Sequence, residues 1–182
     1  MSHRPLIRCY VLVLLLAFGH SFSSAEPYLN KTKRFSINIT APWTTATIPD
    51  PTAELFLRCD PTECGPKVLL SFGAIFDENF RTGTLADFLK YTNGTSITQE
   101  IKNLPMVAKV RLVREGPRKV GKADGYEVLS EITVKDGRKR MRHTFITFNA
   151  GYIYSINLGC PPDAHEHALA AAKPILASFQ VN

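Results

Sequence analysis

Apolar and polar side chains alternate along most of the chain, and this alternation predicts a protein built mainly of β-strands. In residues 34–40, for example, Phe35, Ile37 and Ile39 alternate with polar neighbours, and Pro42 follows as a stop signal. Gly116 and Pro117 are expected to end another such strand in the same way. In full, the predicted strands cover residues 34–40, 54–59, 67–73, 107–115, 125–134, 139–149, 152–158 and 178–181.

Two tight turns are expected to join the long strands near the C-terminus. Asp136-Gly137 is a strong signal for a two-residue hairpin loop, and Ala150-Gly151 is a second turn signal. A two-residue loop fixes the register of the first hairpin, because each residue then has one defined partner on the other strand. The expected pairs are Val134 with Lys139, Ile132 with Met141, Ser130 with His143, and Val128 with Phe145.

Helices are expected on both faces of this sheet, because apolar residues occur on both faces of the predicted hairpin. Residues 83–93 predict a helix that starts at the N-cap Thr84, and residues 96–102 are expected to add one or two turns. A last helix is predicted from the N-cap Asp163, with Glu166 completing a capping box and Pro174 kinking or ending it. The fold class is therefore α+β, with a mostly antiparallel sheet flanked by helices on both faces.

The N-terminal segment predicts export from the cytoplasm. Arg4 and Arg8 precede the apolar run 10–18, and small residues follow at 23–25, an arrangement typical of a secretory signal peptide. The apolar run is much shorter than the roughly 20 residues of a membrane-spanning helix, so an uncleaved anchor is the less favoured alternative. We expect a signal peptide over 1–25, an N-terminal extension over 26–33 and one globular domain over 34–182, located in the periplasm or secreted.

The small net charge argues against one class of partner, and the length suits one domain of ordinary size. The chain has 182 residues and a net charge of +6, which falls to +4 when Arg4 and Arg8 leave with the signal peptide. Such a small excess permits weak attraction to anionic envelope surfaces, but it does not indicate a nucleic-acid partner. No stretch after the signal peptide is apolar enough to predict a membrane span.

Three cysteines remain after cleavage, in a compartment where disulfides persist. We favour a bond between Cys59 and Cys64, because they flank the predicted four-residue hairpin loop 60–63, and such a loop brings its flanking positions to disulfide distance. Cys160 would then be a buried thiol or an intermolecular partner. The spacing of the three does not match a zinc motif, and we expect no metal or other cofactor.

Several segments, taken in order along the chain, carry a resemblance to a known family: Phe35–Trp43, Lys67–Phe72, Thr84–Tyr91, Gly125-Tyr126 before the Asp136-Gly137 hairpin, Tyr152–Leu158, the last helix and Ala177–Phe179. They resemble the PsbP family, whose namesake is an extrinsic subunit of photosystem II, and the chain looks like a bacterial exported PsbP/DcrB-like protein. The family fold, an antiparallel sheet with helices on both faces, agrees with the two-sided apolar pattern. Function transfers poorly with such a fold, because its members share no single activity.

Residues with catalytic chemistry are few. His143 is expected to be a hydrogen-bonded structural histidine, and His165 and His167 to be solvated residues of the first turn of the last helix. Their spacing of two residues points them in different directions, so they cannot bind one metal ion together. Cys160 precedes that helix and could act as a nucleophile, but the sequence shows no partner base. We therefore expect a protein that is not an enzyme.

One cluster of charge stands out at the predicted hairpin. Five basic residues occur within eight positions, and they form a candidate docking patch for an acidic protein or an anionic surface: Lys135, Arg138, Lys139, Arg140 and Arg142. The alternative is a solvated strand edge whose charges discourage aggregation. The leading functional hypothesis is a non-enzymatic envelope protein that binds a partner or stabilises an assembly. The alternatives are an enzyme with a cryptic pocket or Cys160 as nucleophile, and a binder of anionic polymers through the hairpin.

Overall fold

A computed structural model describes residues 25–48, 51, 53–90, 92 and 94–182. Within these ranges the strands are β1 (Glu26–Asn30), β2 (Phe35–Ile39), β3 (Trp43–Thr45), β4 (Leu55–Cys59), β5 (Leu69–Phe76), β6 (Val107–Val120), β7 (Ala123–Val134), β8 (Lys139–Asn149), β9 (Tyr152–Cys160) and β10 (Gln180–Val181). The α-helices in the same ranges are α1 (Pro61–Cys64), α2 (Leu85–Leu89), α3 (Gly94–Lys102) and α4 (His165–Ser178).

Seven strands form the main sheet in the order β3-β4-β5-β9-β8-β7-β6, and each neighbouring pair is antiparallel. A smaller sheet has the order β1-β2-β10. Residues 26–33, expected as an extension, thus contain a strand that pairs with β2, and the domain boundary stays a prediction. The predicted signal peptide lies outside the described residues except for Ala25. No described helix combines the length and hydrophobicity of a transmembrane segment.

The main sheet has a hydrophobic core on each face, as the two-sided apolar pattern predicts. Phe145 and Ile146 are consecutive on β8 and both are buried, so their side chains point to opposite faces. On one face, called the α4 face, α4 and β2 enclose the larger core with Phe145. On the other, called the α3 face, α2 and α3 enclose a smaller core with Ile146. The predicted α+β class with helices on both faces is confirmed.

The β7–β8 hairpin has a register that differs by one residue from the predicted one. Leu129 pairs with His143, where Ser130 was expected, and Thr133 pairs with Lys139. The loop is longer than two residues, because Val134 N donates to Arg138 O at 2.9 Å and Gly137 adopts a positive φ of 85°. A shift of one residue moves every side chain relative to its neighbours, so Phe145 belongs to the α4 face and Val128 to the α3 face.

The connection between β4 and β5 is also longer than the predicted four-residue loop. It runs over residues 60–68 and contains the single helical turn α1. Asp60 caps this turn by accepting a hydrogen bond from Thr62 N at 2.9 Å, and Pro61 occupies the first helical position. Sequence reasoning interpreted these residues as a plain hairpin loop, although Asp-Pro is also a signal for the start of a helix.

Strand β6 continues through the two residues that were expected to end it. Gly116 pairs with Glu127, and Pro117 pairs with Tyr126. Proline is tolerated here because β6 is the last strand at its edge of the sheet among the described residues, and at such an edge a missing N–H need not interrupt a ladder on both sides. The prediction was wrong because the pair Gly-Pro is a turn signal in the absence of sheet context.

Thr84 is the N-cap of α2, as predicted, and Asp87 completes a capping box with it. The helix ends at Leu89 and α3 begins at Gly94, so the predicted helix 83–93 is shorter and the following one is longer. At the last helix a 3-10 turn, Pro162–Ala164, precedes α4, and Asp163 makes no capping hydrogen bond. The helix also continues past Pro174, which is exposed, to Ser178.

Candidate binding surface

The five basic residues of the predicted docking patch do not form one surface. Arg138 lies at the loop, where its Nε donates to Asp136 Oδ2 at 2.7 Å. Lys139 is exposed on the face opposite to that of Arg140 and Arg142, and its Nζ lies 3.4 Å from Glu131 Oε1. These two charges are neutralised within the protein, and Lys135 is exposed in the loop. The remaining two, Arg140 and Arg142, have a different environment.

Arg140 and Arg142 point to the α3 face, because alternate residues of β8 share a face. Nε and Nη2 of Arg142 donate to Asn157 Oδ1 at 3.2 and 3.0 Å, and Thr144 Oγ1 donates to the same oxygen at 2.9 Å. Arg140 Nη2 donates to the carbonyl oxygen of Lys67 at 2.7 Å. Both guanidinium groups are thus held by neutral oxygen atoms, and neither is in an ion pair within the described part of the chain.

Sheet pairing adds Arg58, which sequence reasoning did not select. Arg58 pairs with Leu69, Leu69 with Gly159, and Gly159 with Arg142, so the four residues form one row across β4, β5, β9 and β8. Paired residues share a face, and the alternating burial of β4 places Arg58 away from the core of the α4 face. Three strand spacings separate the Cα atoms of Arg58 and Arg142 by roughly 14 Å.

The part of the α3 face around this row is not covered by a helix in the described structure, because α3 packs against β6 and β7 at the other end of the sheet. A Cβ added at Gly159, in the row, would meet no atom within 4 Å, and Ile75, on the same face but about 20 Å further along β5, is 66% exposed. We call this area the open surface. It comprises Phe56, Arg58, Leu69, Ser71, Ile75, Ser155, Asn157 and Gly159, with Arg140 and Arg142 along its border.

The open surface carries positive charge that no carboxylate of the described residues contacts directly. Within the described part of the chain, no Asp or Glu oxygen lies within 4.0 Å of the guanidinium groups of Arg58, Arg140 or Arg142. Burial lowers the pKa of Arg142 from its ordinary value, whereas the charge of Glu100 on α3 acts in the opposite direction. An anion placed on this surface would therefore gain attraction from three guanidinium groups.

A second polar cluster, on the α4 face, is buried. Glu127 on β7, His143 on β8 and His165 on α4 form a chain in which His143 Nε2 lies 3.0 Å from Glu127 Oε2 and His143 Nδ1 lies 3.3 Å from His165 Nε2. His165 is 5% exposed, so its prediction as a solvated residue was wrong, whereas His167 is exposed. The reason is that α4 turns His165 towards the sheet, which its position in the sequence does not reveal.

This histidine chain is suited to holding α4 on the sheet. Because an ionised carboxylate only accepts, His143 Nε2 donates to Glu127, and His143 Nδ1 is then free to accept from His165 Nε2. Arg114 Nε lies 3.2 Å from the other oxygen of Glu127 and compensates its charge. Burial lowers the pKa of His143 to about 4, which agrees with a neutral ring. His143 is completely buried, so no substrate reaches it.

The cysteines also have structural positions. Cys59 and Cys64 form a disulfide with their Cα atoms 6.0 Å apart, in agreement with the predicted pairing distance. Cys160 is a buried free thiol, and burial raises its pKa to about 11. A thiol that keeps its proton at neutral pH is a poor nucleophile. Among the described residues, no group of three or more His, Cys, Asp or Glu side chains is arranged so that it could hold a metal ion.

Comparison with known proteins supports the fold through similar structures, whereas sequence comparison identifies no family. No protein-family model matches the chain, and no curated protein matches it. The solution structure of cyanobacterial PsbP (CyanoP) from Synechocystis sp. PCC 6803 is similar, with a TM-score of 0.63, 16% identity and coverage of 90% of this chain and 96% of that one.

Two further structures are similar at lower scores. A protein from Bacteroides thetaiotaomicron has a TM-score of 0.52 at 13% identity, and the match covers 87% of this chain and 49% of that one, about half its length. LpqN of Mycobacterium tuberculosis, described as involved in cell envelope biogenesis, has a TM-score of 0.44 at 14% identity and coverage of 90% and 87%. Sheet order, helix placement and the similarity to CyanoP together show that this chain has a PsbP-like fold.

Proposed function

We propose that this protein is an exported, non-enzymatic binding domain of the cell envelope, and that it docks a partner through the open surface. The observation that carries the proposal is the row from Arg58 to Arg142, which presents positive charge without an ion-pair partner among the described residues, on a part of the sheet that no described helix covers. A site on strands is held more precisely than one on mobile loops. The single domain expected over residues 34–182 would present this surface after removal of the signal peptide.

The remaining chemistry supports a binding role over a catalytic one. The buried thiol of Cys160 and the buried ring of His143 are both kept uncharged by the protein interior and lack access to solvent. The Cys59 to Cys64 disulfide is consistent with an oxidising compartment, where such bonds persist. CyanoP, one of the similar structures, is named as a PsbP protein. Its similarity supports the fold of this chain but does not identify a partner.

The proposal is tested in the cells that make the protein, with a photo-crosslinking amino acid in place of Ser71 on the open surface. We expect a discrete crosslinked product in the envelope fraction. Gly159→Glu should abolish it, because this substitution places a bulky negative group in the row without a steric clash. Gly116→Glu is the matched control, since Gly116 also has no atom within 4 Å of an added Cβ but lies on β6.

Both variants must first be shown to fold and to reach the same cell fraction as the parent chain. A product that survives Gly159→Glu, or the absence of any product from the open surface, would contradict the docking role. Recovery of the protein in the cytoplasm with residues 1–25 intact would contradict export. Catalytic turnover lost in Cys160→Ser would instead indicate an enzyme.

A further inference from the structure

We propose that the open surface binds an extended, acidic segment of another polypeptide, whose carboxylates pair with Arg58 and Arg142 while its apolar side chains lie between them. This inference rests on the proposed function, since it names the partner of that same surface. It follows from the geometry of the arginine row, from the side chains between the arginines, and from the way in which Arg142 is held.

Arg142 keeps N–H donors that its contacts within the protein do not use. A guanidinium group has five N–H donors, and Arg142 uses only Nε and Nη2, both for Asn157. Because these two bonds fix the plane of the group, its remaining donors are pre-oriented, which favours a planar carboxylate over a spherical ion. Arg58 is exposed at the other end of the row and can adapt to the second acidic group.

The separation of Arg58 and Arg142 fits an extended polypeptide. The two arginines are roughly 14 Å apart, and an extended chain advances about 3.4 Å per residue. Acidic residues about four positions apart on such a chain would therefore reach both guanidinium groups from the same side. Leu69 and Gly159 form the surface between them, and Gly159 leaves room for a side chain or a peptide group of the partner.

Apolar side chains lie in and beside the arginine row of the open surface. Leu69 lies in the row between the arginines and Phe56 lies beside it on the same face, and both are half-buried. A partner that carries apolar residues between its acidic ones would remove this area from water. A purely hydrophilic anionic polymer would leave it exposed, so the surface fits an amphiphilic polypeptide better.

The position of Arg142 in the sheet favours a polypeptide over a membrane as the partner. Arg142 is half-buried in the plane of the sheet and is tied to Asn157, so it cannot extend towards the headgroups of a flat bilayer. Membrane-binding surfaces place flexible basic side chains and apolar residues on protruding segments. Apart from Arg58 and Ile75, which are exposed, the open surface instead consists of half-buried residues on strands β4, β5 and β9.

The test uses the mature full-length chain and a fluorescent peptide of about 12 residues, with two glutamates about four positions apart and a leucine between them. Fluorescence anisotropy should show binding that weakens as salt is raised. A peptide with glutamine at both positions should bind at least about tenfold more weakly, because it lacks the charge that the arginines require.

Variants of the protein give the second arm. Arg58→Gln should weaken the acidic peptide about tenfold, and Gly159→Glu should abolish its binding. Lys122→Gln is the charge-matched control, because Lys122 is exposed in the turn between β6 and β7, and it should leave the affinity unchanged. Arg58 is exposed, so the test remains valid if substitutions at Arg142 impair folding.

Equal binding of the two peptides, or binding that Arg58→Gln does not affect, would overturn the inference. It would also be overturned if vesicles containing phosphatidylglycerol bound in a Gly159→Glu-sensitive manner while the acidic peptide did not bind. Crosslinking from Ser71 in cells without binding of the acidic peptide would show that the docking role stands and the ligand class is wrong. Peptide binding without any crosslinked product in cells would count against the docking role alone.

Discussion

At the scale of single residues, the buried histidine chain makes the fold sensitive to acid. The pKa of His143 lies below its ordinary value because burial disfavours the imidazolium, so the unfolded chain binds a proton that the folded chain excludes. Stability conferred by the neutral ring is therefore present above pH 6.5 and is lost as the pH falls towards about 4. Above that window His143 is neutral in both states and has no effect on the pH dependence.

We predict that His143→Gln reduces this loss, because glutamine can still donate a hydrogen bond to Glu127 and does not titrate. The fall in the free energy of unfolding between pH 6.5 and 4 should shrink by roughly 2 kcal/mol. Urea unfolding at a series of pH values measures it. His167→Gln is the control, because His167 is an exposed histidine on α4. The same pH slope in His143→Gln and the parent would contradict the prediction.

Single residues also show where sequence reasoning reaches its limit. His143 was recognised as a structural histidine from its strand, since strand alternation is local. Its contact with His165 depends on how α4 docks, 22 residues further along the chain, and no local pattern encodes that. Arg58 and Arg142 are 84 positions apart, and only the pairing of four strands brings them into one row.

At the scale of elements, α4 carries an unusual residue in its interior. Pro174 lacks the N–H that would bond to the carbonyl of Ala170, and both residues are exposed, so water can satisfy that carbonyl. The helix continues because its other side is fixed by tertiary contacts. Ala168, Ala172 and Ile175 are fully buried in the core of the α4 face. Packing thus outweighs the local preference that predicted a kink or an end.

We predict that Pro174→Ala stabilises the protein. Alanine restores the hydrogen bond and removes the helix penalty of proline, about 3 kcal/mol, while the unfolded chain regains up to about 1 kcal/mol of entropy. A net gain of about 1 to 2 kcal/mol should appear as a higher denaturation midpoint with an unchanged slope. Pro162→Ala is the control, since Pro162 lies at the start of a helical turn, where proline is favourable. A lower midpoint for Pro174→Ala would show that the ring itself packs.

Strand positions were largely predictable from the sequence, and strand register was not. The range 139–149 predicted for β8 is the observed one, because its alternation is long and its limits are turn signals. The register of the same hairpin depends on whether the loop has two or three residues, and Asp136-Gly137 is compatible with both. Gly137, at a φ of 85°, accommodates the longer loop here.

At the scale of the whole molecule, the two hydrophobic cores differ in size, and this should divide the protein into regions of unequal stability. The core of the α4 face contains residues from both sheets and α4, whereas that of the α3 face has six buried members among the described residues: Phe88, Ile97, Ile101, Val107, Val128 and Ile146. Local opening costs less where fewer apolar contacts are lost.

We predict that backbone amides of α3 exchange with deuterium through local opening, well before those of β9 and α4. Hydrogen exchange followed by mass spectrometry measures this order. Ile97→Ala should accelerate exchange in α3 further and leave α4 unchanged, because Ile97 contacts only the core of the α3 face. Ile175→Ala on α4 provides the reciprocal control. Simultaneous exchange of α3 and α4 would mean that the two cores open together.

The outer edge of the main sheet is the place where a second copy of this chain would add a strand at high concentration. Within the described residues β6 has no neighbour along one side of its 14 residues, and such an edge can template fibres. Pro117 interrupts its row of N–H donors, and basic side chains keep the strand hydrated, although carboxylates pair with all but the first of them: Lys109, Arg111, Arg114, Arg118 and Lys119. The strand that sequence reasoning ended too early thus carries two of the features by which native sheet edges resist polymerisation.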